Sequence, residues 1–391
     1  MIKIKEKKDC CGCGACAQKC PLKCITLITD SEGFLYPETD TSKCVQCGLC
    51  IKVCPVINQK KGRLPLECKA AQNLNKNELS HSSSGGLFII LAKYVLSQGG
   101  IIVGAVFDKN WNVKHVTSQN YDIISKMMGS KYVQSNTAKT YIETEKYLKK
   151  GILVLYTGTP CQIAGLKLFL RKEYSNLITV DFICHGVPSP LVWERYLQEL
   201  NIKSVDNIDF RNKTERGWKN FSFVLKKKCY NSKDSLIICS EKHHNNLFMK
   251  AFLSNLILRP SCYNCPSKEL KSGSDITIAD FWSIEKVLPQ WIDDDNGTSL
   301  LLLNTQKGIS CFQNVSNNVK QQPTDYESVL KYNSSLIKSV IAHKNRESFF
   351  KDFGRNKNTI NNLIIRYCYD KKGKMRLYIR LFLQYCGLYK K

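Results

Sequence analysis

Residues 10–21 read CCGCGACAQKCP and residues 44–55 read CVQCGLCIKVCP, and these two stretches decide the organisation of the N-terminal region. Each contains the spacing Cys-x2-Cys-x2-Cys-x3-Cys-Pro. Three thiolates two residues apart surround three corners of one iron–sulfur cube, and the fourth, followed by proline, leaves the loop to ligate the other cluster. The repeated spacing therefore predicts two 4Fe–4S clusters.

The same spacing assigns the ligands of the two clusters. Cluster I takes Cys10, Cys13, Cys16 and Cys54, and cluster II takes Cys44, Cys47, Cys50 and Cys20. Zinc ribbons also use Cys-x-x-Cys pairs, but they need two pairs per metal and neither the third cysteine nor the Cys-Pro ending. Cys11 and Cys24 fall outside the pattern, and we interpret them as packing or bystander residues. The arrangement is typical of a bacterial ferredoxin domain.

Length and composition limit the remaining choices. A chain of 391 residues with 43% hydrophobic residues is long enough for two or three domains with a core. The N-terminal MIKIKEKK has no apolar signal segment, and no run of about 18 apolar residues occurs. We therefore expect a cytoplasmic protein whose 20 cysteines bind metal more than they form disulfides.

The net charge of +25 indicates a basic surface. No helix-turn-helix, zinc-finger or RNP signature accompanies it, so we predict no nucleic-acid partner. The remaining interpretations are an evenly spread basic surface, an acidic redox partner protein, and a polyanionic substrate or cofactor.

The chain divides into four predicted segments. A small α+β ferredoxin domain with two clusters covers residues 1–57, with a hairpin of Ile25–Thr29 and Phe34–Tyr36, and a linker follows at 58–75. Residues 76–310 alternate apolar strands with helical patterns, which predicts an α/β core with a parallel or mixed sheet. Residues 311–391 are predicted to form a helical basic region.

The basic stretch from Arg366 to Lys391 interleaves lysine and arginine with apolar residues. Two interpretations stay open. The stretch is a terminal helix that caps the core, or it is an amphipathic helix that makes a peripheral contact with anionic lipid.

Cysteines follow two neighbouring predicted strands of the α/β core. Cys161 comes after the strand at 152–156 and Cys184 after the strand at 177–183. Ligands of open α/β sheets bind outside the carboxyl ends of the strands. With the pair Cys262 and Cys265, four thiolates are available for a third 4Fe–4S cluster. The alternative is that Cys161 and Cys184 are buried small hydrophobic residues.

The segment Ser82–Gly86 precedes an apolar helix predicted at Leu87–Leu96. Free backbone amides at such a helix N-terminus suit a phosphate or diphosphate, although a plain N-cap explains them equally well. Residues 129–132 (GSKY) are a candidate for a second phosphate contact. No Rossmann fingerprint, P-loop, Ser/His/Asp arrangement or paired carboxylates occur, so we assign no catalytic residue.

Six short motifs now stand in one order along the chain: residues 83–86 (SSGG), 129–132 (GSKY), 158–162 (GTPCQ), 183–189 (ICHGVPS), 262–265 (CYNC) and 275–282 (DITIADFW). Over roughly residues 5–310, this order resembles the beta subunit of coenzyme F-420 hydrogenase/dehydrogenase, fused to a two-cluster ferredoxin domain. The CHGVPS form resembles a bacterial branch of the family found in surface-polysaccharide gene sets.

The resemblance implies a flavoprotein that binds FAD and a 4Fe–4S cluster in the α/β domain. It implies that Cys161, Cys184, Cys262 and Cys265 ligate that cluster. It also implies that FAD is cradled by Ser83, Ser84, Gly85, Gly86, Ser130, Lys131 and Tyr132.

The implied function is an FAD-dependent iron–sulfur oxidoreductase. It relays electrons between 4Fe–4S clusters, or a reducible substrate, and a hydride carrier such as the deazaflavin coenzyme F-420 or another donor. The alternative is a non-catalytic iron–sulfur carrier or docking subunit that serves surface polysaccharide biosynthesis.

Overall fold

A computed structural model describes residues 1–200, 205–228, 235–355 and 357–386. Residues 387–391 of the predicted basic tail lie outside the described residues. In chain order the N-terminal region contains a 3-10 turn at Lys7–Asp9, helix α1 (Ala15–Lys19), strands β1 (Ile25–Thr29) and β2 (Leu35–Thr39), and helix α2 (Leu49–Lys52).

The two short helices of the N-terminal region begin in the same way. Gly14 and Gly48 precede α1 and α2, and both have a φ of 74°. Only glycine enters this left-handed region at little cost, so each cysteine loop can turn sharply into its helix. The predicted hairpin is confirmed, because β1 and β2 pair antiparallel with Ile25 opposite Thr39.

The remaining strands are β3 (Glu67–Asn73), β4 (Ile101–Phe107), β5 (Val113–Ser118), β6 (Val154–Thr157), β7 (Leu177–Phe182), β8 (Asn207–Asn212), β9 (Ser222–Lys228), β10 (Ser235–Lys242), β11 (Ile276–Asp280), β12 (Ser299–Leu303) and β13 (Val319–Thr324). The remaining helices are α3 (Lys76–Ser80), α4 (Leu87–Ser97), α5 (Tyr121–Ser125), α6 (Thr140–Lys149), α7 (Pro160–Leu170), α8 (Pro190–Glu199), α9 (Leu247–Leu253), α10 (Ile284–Val287), α11 (Gln306–Gln313), α12 (Tyr326–Tyr332), α13 (Arg346–Gly354), α14 (Ile360–Cys368) and α15 (Lys371–Tyr385).

An eight-stranded mixed sheet forms the centre of the molecule, in the order β13-β3-β12-β11-β7-β6-β4-β5. The strands β4, β6, β7 and β11 run parallel, while β5, β12 and β13 pair antiparallel with their neighbours. The predicted parallel or mixed α/β core is thus confirmed in its mixed form. Since the four parallel strands point the same way, their carboxyl ends meet at one edge.

Helices cover both faces of this sheet, as a sheet with a parallel centre requires. On one face, α4 and α11 pack on residues such as Ile102, Ile178 and Leu301. On the other face, α6 and α7 pack on residues such as Val103 and Tyr156, and the N-terminal residues Cys11, Cys13 and Ala15 join the same cluster. The ferredoxin domain therefore shares a hydrophobic core with the α/β domain.

A second core lies around a three-stranded antiparallel sheet, ordered β10-β9-β8, which the sequence analysis missed. Its centre is aromatic, with Trp193 of α8 lying 4.9 Å from Phe248 and 5.0 Å from Phe210 between ring centroids. Phe349 of α13 and Leu363 of α14 belong to the same cluster. This core thus fixes the C-terminal helices to the α/β domain.

Two predicted segments contain strands. The linker predicted at 58–75 includes β3, a central strand whose Ala70 and Ala71 are fully buried. The region 311–391, predicted to be helical, includes β13 at the sheet edge, with Pro323 inside it. Small and polar residues in β3 and a proline in β13 hid the strand pattern, and proline is tolerated because an edge strand lacks a partner on one side.

Arg259 joins the ferredoxin domain to the α/β domain. Its side chain is fully buried and donates to the carbonyl oxygens of Cys10 and Leu35 at 2.8 and 2.9 Å and to Gln134 Oε1 at 3.0 Å. The guanidinium also lies 4.3 Å from the centroid of the Tyr36 ring. The first cysteine loop, the hairpin and the core thus meet at one side chain.

We expect Arg259→Met to lower the free energy of unfolding by about 3 kcal/mol or more, because three partly buried acceptors lose their donor. Denaturant unfolding combined with limited proteolysis at residues 58–66 measures the effect. The control Arg355→Met removes a surface ion pair with Asp352 and should cost less than about 1 kcal/mol. Equal losses in the two variants would contradict the joining role of Arg259.

Candidate iron–sulfur and flavin site

The ferredoxin cysteines gather in two groups. Cys10, Cys16 and Cys54 lie close enough that burial together with the charges of Cys10 and Cys54 raises the pKa of Cys16 to about 12. The charges of Cys16 and Cys54 likewise act on Cys13. The structure therefore brings together the four cysteines assigned to cluster I.

The four cysteines assigned to cluster II line one small cavity, where Cys24 joins them: Cys20, Cys44, Cys47 and Cys50. Cys24 Sγ lies 3.3 Å from Cys20 Sγ. The repeated spacing leaves Cys24 out and so predicts only a packing role for it. In the structure it forms part of the cavity wall, where its thiol can donate a hydrogen bond to a ligating sulfur.

A third group of thiols lies at the carboxyl edge of the large sheet. Cys161 is the second residue of α7, the helix that follows β6, and Cys184 follows β7. Cys262 and Cys265 come from the 3-10 turn Pro260–Asn264 and the residue after it. Burial and the charge of Cys262 raise the pKa of Cys184 well above its usual range. The four cysteines predicted for a third cluster are therefore close neighbours.

The surroundings of this third group suit thiolates bound to metal. Burial raises the pKa of Cys262 to about 12, so the thiols hold their protons until a metal displaces them. The backbone N–H of Val187 donates to Cys262 Sγ at 3.4 Å, and Lys268 Nζ donates to the Cys184 carbonyl at 2.8 Å. A thiolate cluster needs four sulfurs and nearby donors, and this group of half-buried thiols supplies both.

No group of three or more His, Cys, Asp or Glu side chains within the described ranges is arranged to hold a single metal ion. A cubane carries its four irons at the corners of a cube, so its ligands stand farther apart than those around one ion.

Cys11 connects the first and third groups of thiols. Its buried thiol lies close to the thiols of Cys13 and Cys161, and all three belong to one hydrophobic cluster. Beside them, Gly165 of α7 faces the cysteine loop so closely that a Cβ there would lie 2.9 Å from Cys13 Sγ. The ferredoxin loop therefore packs directly on the helix that carries Cys161. Nothing in the spacing of the sequence indicated this role of Cys11.

The two segments predicted to cradle FAD also lie side by side. The backbone N–H of Ser130 donates to Ser83 Oγ at 2.6 Å. Gly86 precedes α4 with a φ of 75° and gives that helix no side-chain cap. The first amides of α4 therefore have no side-chain acceptor at the position where an anion is favoured.

Other atoms of these two segments form hydrogen bonds and packing contacts inside the protein. Ser84 Oγ donates to the Thr298 carbonyl, and the Gly85 N–H donates to Ser299 Oγ. A Cβ at Gly85 would lie 2.4 Å from the Ala71 carbonyl oxygen, so this glycine serves close packing on β3. Tyr132 stacks on Phe252 with 4.7 Å between ring centroids.

Buried cations surround the same loop, and the sequence analysis missed two of them. Lys213 Nζ donates to the Ser84 carbonyl at 2.9 Å, and Arg211 forms a two-point ion pair with Asp280 at the end of β11. Trp218 and Trp282 stack nearby with 4.6 Å between ring centroids. Positively charged side chains and flat aromatic surfaces thus lie around the loop that precedes α4. No local sequence motif in β8 indicated these cations.

Two parts of the chain match known protein families. Residues 152–328 match the family described as the C terminus of the coenzyme F420 hydrogenase/dehydrogenase beta subunit, and residues 9–58 match the 4Fe-4S dicluster domain. The dicluster match covers all eight cysteines of the two repeated motifs.

Two curated relatives share parts of the chain. One subunit of the F(420)H(2) dehydrogenase of Methanosarcina mazei is 23% identical over 46% of this chain and 54% of its own length. Coenzyme F420-dependent sulfite reductase of Methanocaldococcus jannaschii is 29% identical over 50% of this chain and 31% of its own length. The matched part of this chain thus spans about half of the first relative and a third of the second.

A solved chain from the F420-reducing NiFe hydrogenase complex of Methanosarcina barkeri is 17% identical, with a TM-score of 0.44 over 78% of this chain and 92% of that chain.

Backbone carbonyl groups hold the side chain of Lys131 in the predicted flavin site. Its ammonium donates to the carbonyl oxygens of Met127, Met128 and Gly129 at 2.9–3.3 Å. Burial lowers the pKa of Lys131 to about 8 and that of Lys213 to about 8. Burying each charged ammonium group therefore costs free energy, and a bound anion would reduce that cost.

The lowered pKa of Lys131 predicts a pH dependence. From about pH 8 to pH 10.5 the unfolded chain holds the lysine proton that the folded chain has lost, so the folded state gains stability as the pH rises. We expect Lys131→Met to reduce that gain by at most about 3 kcal/mol in denaturant titrations across this window. Lys126→Met, at an exposed lysine of the same segment, should leave the gain unchanged.

Proposed function

We propose that this protein is an FAD-dependent iron–sulfur oxidoreductase that relays electrons between a hydride carrier and its 4Fe–4S clusters. The observation that carries the proposal is the packing of Cys13, Cys11 and Cys161 in one hydrophobic cluster. This packing joins the ferredoxin loop to the third group of thiols. Two sets of ligands so close together suit the transfer of electrons from one to the other.

Iron–sulfur clusters transfer one electron at a time, and a flavin exchanges a hydride for two single electrons. The chain's own residues position these groups and exclude water. Arg259 and Thr137 hold the carbonyl groups of Cys10 and Cys13, which fixes the first loop against the core. The Val187 N–H at Cys262 Sγ would stabilise negative charge on that sulfur.

The hydride carrier is proposed to be a deazaflavin of the coenzyme F-420 type or another hydride donor. The names of the two curated relatives support a deazaflavin, and the matched segments cover only part of those proteins. The α4 N-terminus with Lys131 and Lys213 is the proposed position of the FAD diphosphate. A redox partner protein is the proposed acceptor or donor on the ferredoxin side.

Iron content tests the third cluster. After anaerobic reconstitution we expect about twelve irons per chain, and about eight in Cys161→Ala and in Cys265→Ala, because a cubane lacks one of its four thiolates. Iron and sulfide analysis with the visible spectrum measures the loss. Cys311→Ala is the matched control, since Cys311 is buried in the core opposite α7. Unchanged iron in both site variants would disprove the third cluster.

A second candidate is a non-catalytic carrier or docking subunit that binds no flavin, with a role in surface polysaccharide assembly. The observation that favours it is Lys131, whose ammonium is already satisfied by three backbone carbonyls. The close packing of Gly85 on β3 has the same implication. In this candidate the α/β domain is a scaffold for a partner.

Flavin content separates the two candidates. FAD released from the reconstituted protein, identified by chromatography, supports the oxidoreductase. We expect Lys213→Met to lower FAD occupancy about tenfold while iron content stays the same, since one charge at the diphosphate is removed. Lys126→Met should retain its FAD. Reconstituted wild-type protein without FAD would favour the carrier.

A further inference from the structure

A basic cavity lies between α9, α14 and α15, away from the cysteine groups in sequence. Its volume is about 620 Å³, within the range of pockets that hold small molecules. Six basic side chains contribute to its wall: His244, Lys250, His343, Lys344, Arg376 and Arg380. The acidic residue of the wall is Asp370, whose Oδ1 accepts from the Gly373 N–H at 2.7 Å at the start of α15.

The cations of this cavity lack acidic partners among the described residues. None of Lys250, Lys344, Arg376 and Arg380 lies within 4 Å of a carboxylate there. Arg380 donates to Asn245 Oδ1, while its buried Nε has no partner. Like charges that face one cavity repel, and an anion between them removes the repulsion. The cavity therefore suits a phosphate group.

Another face of α15, next to the position of Arg376 on the helix, carries an exposed apolar stripe. Met375, Tyr378, Ile379 and Phe382 are 53–66% exposed. Their spacing of three, four and seven residues places them on one face of the helix. Between this stripe and the protein, Leu377 is buried and Arg376 and Arg380 face the cavity. The helix thus caps the fold with one face and leaves an apolar face uncovered.

We propose that the basic cavity and the apolar stripe together bind an anionic phospholipid surface. The lipid phosphate occupies the cavity between Lys250, Arg376 and Arg380, and the stripe enters the interface among the acyl chains. A free phosphate compound accounts for the cavity but leaves the neighbouring stripe exposed. A basic cavity beside an apolar helix face matches both parts of a phospholipid. No helix within the described ranges has the length and apolar character to cross a bilayer.

Sedimentation of the full-length, reconstituted protein with lipid vesicles tests this proposal. We expect binding to phosphatidylcholine vesicles that contain about one third phosphatidylglycerol, no binding to phosphatidylcholine alone, and release at about 1 M salt. Lys250→Gln with Arg376→Gln should weaken binding at least about tenfold. Ile379→Ser with Phe382→Ser should weaken it by a similar factor, since the apolar insertion is lost.

Matched control variants distinguish binding at the cavity from a general effect of positive charge. Lys371→Gln with Lys372→Gln removes the same charge from exposed positions of α15 outside the cavity, and should weaken binding less than about threefold. Equal losses in the two charge variants would overturn the cavity as a site. Iron content and the cluster spectrum must match the wild type in every variant.

Two further outcomes would also overturn the proposal. One is tight binding of inorganic diphosphate together with no vesicle binding, which would make the ligand a free phosphate compound. The other is binding to duplex DNA that depends on Lys250 and Arg376 as strongly as vesicle binding does. That result would identify a site for any polyanion.

Discussion

The close packing of the first cysteine loop on α7 is the contact on which the rest of the arrangement depends. Gly165 leaves room for Cys13, and Arg259 binds the loop, the hairpin and Gln134 at once. A ferredoxin domain on a free linker would sample many distances from the core. Here its buried residues belong to the hydrophobic cluster of α6 and α7. The separation between the two groups of thiols is therefore set by packing.

Burial also gives the site its electrostatic character. The thiols at the sheet edge and the lysines beside α4 are held away from water, which raises the pKa of Cys184 and lowers that of Lys131. Each pKa shift means that the charged form of the thiol or the lysine is unfavourable in the folded protein unless a group of opposite charge binds beside it. Metal at the thiols and an anion at the lysines would remove those costs. Cofactor binding and folding are therefore expected to stabilise each other.

The C-terminal region shows how one helix serves two surroundings. Leu377 packs into the protein, which agrees with the interpretation of a terminal helix that caps the core. Met375 and Phe382 remain exposed on the other face, which agrees with the interpretation of an amphipathic helix. The two interpretations of the sequence are compatible, because a helix of 15 residues has enough turns to present both faces.

The sequence by itself determined the ferredoxin motifs, the hairpin, the parallel strands that precede Cys161 and Cys184, and the α/β class. These features depend on residue spacing and on local apolar patterns, which are visible in one stretch of chain. Only the tertiary structure decided the contacts of Cys11, the joining role of Arg259, the cations from β8, and the strands β3 and β13. Each of these depends on residues far apart in the chain, as when Arg259 reaches Cys10 across 249 positions. Local patterns carry no information about which distant surface a side chain will meet.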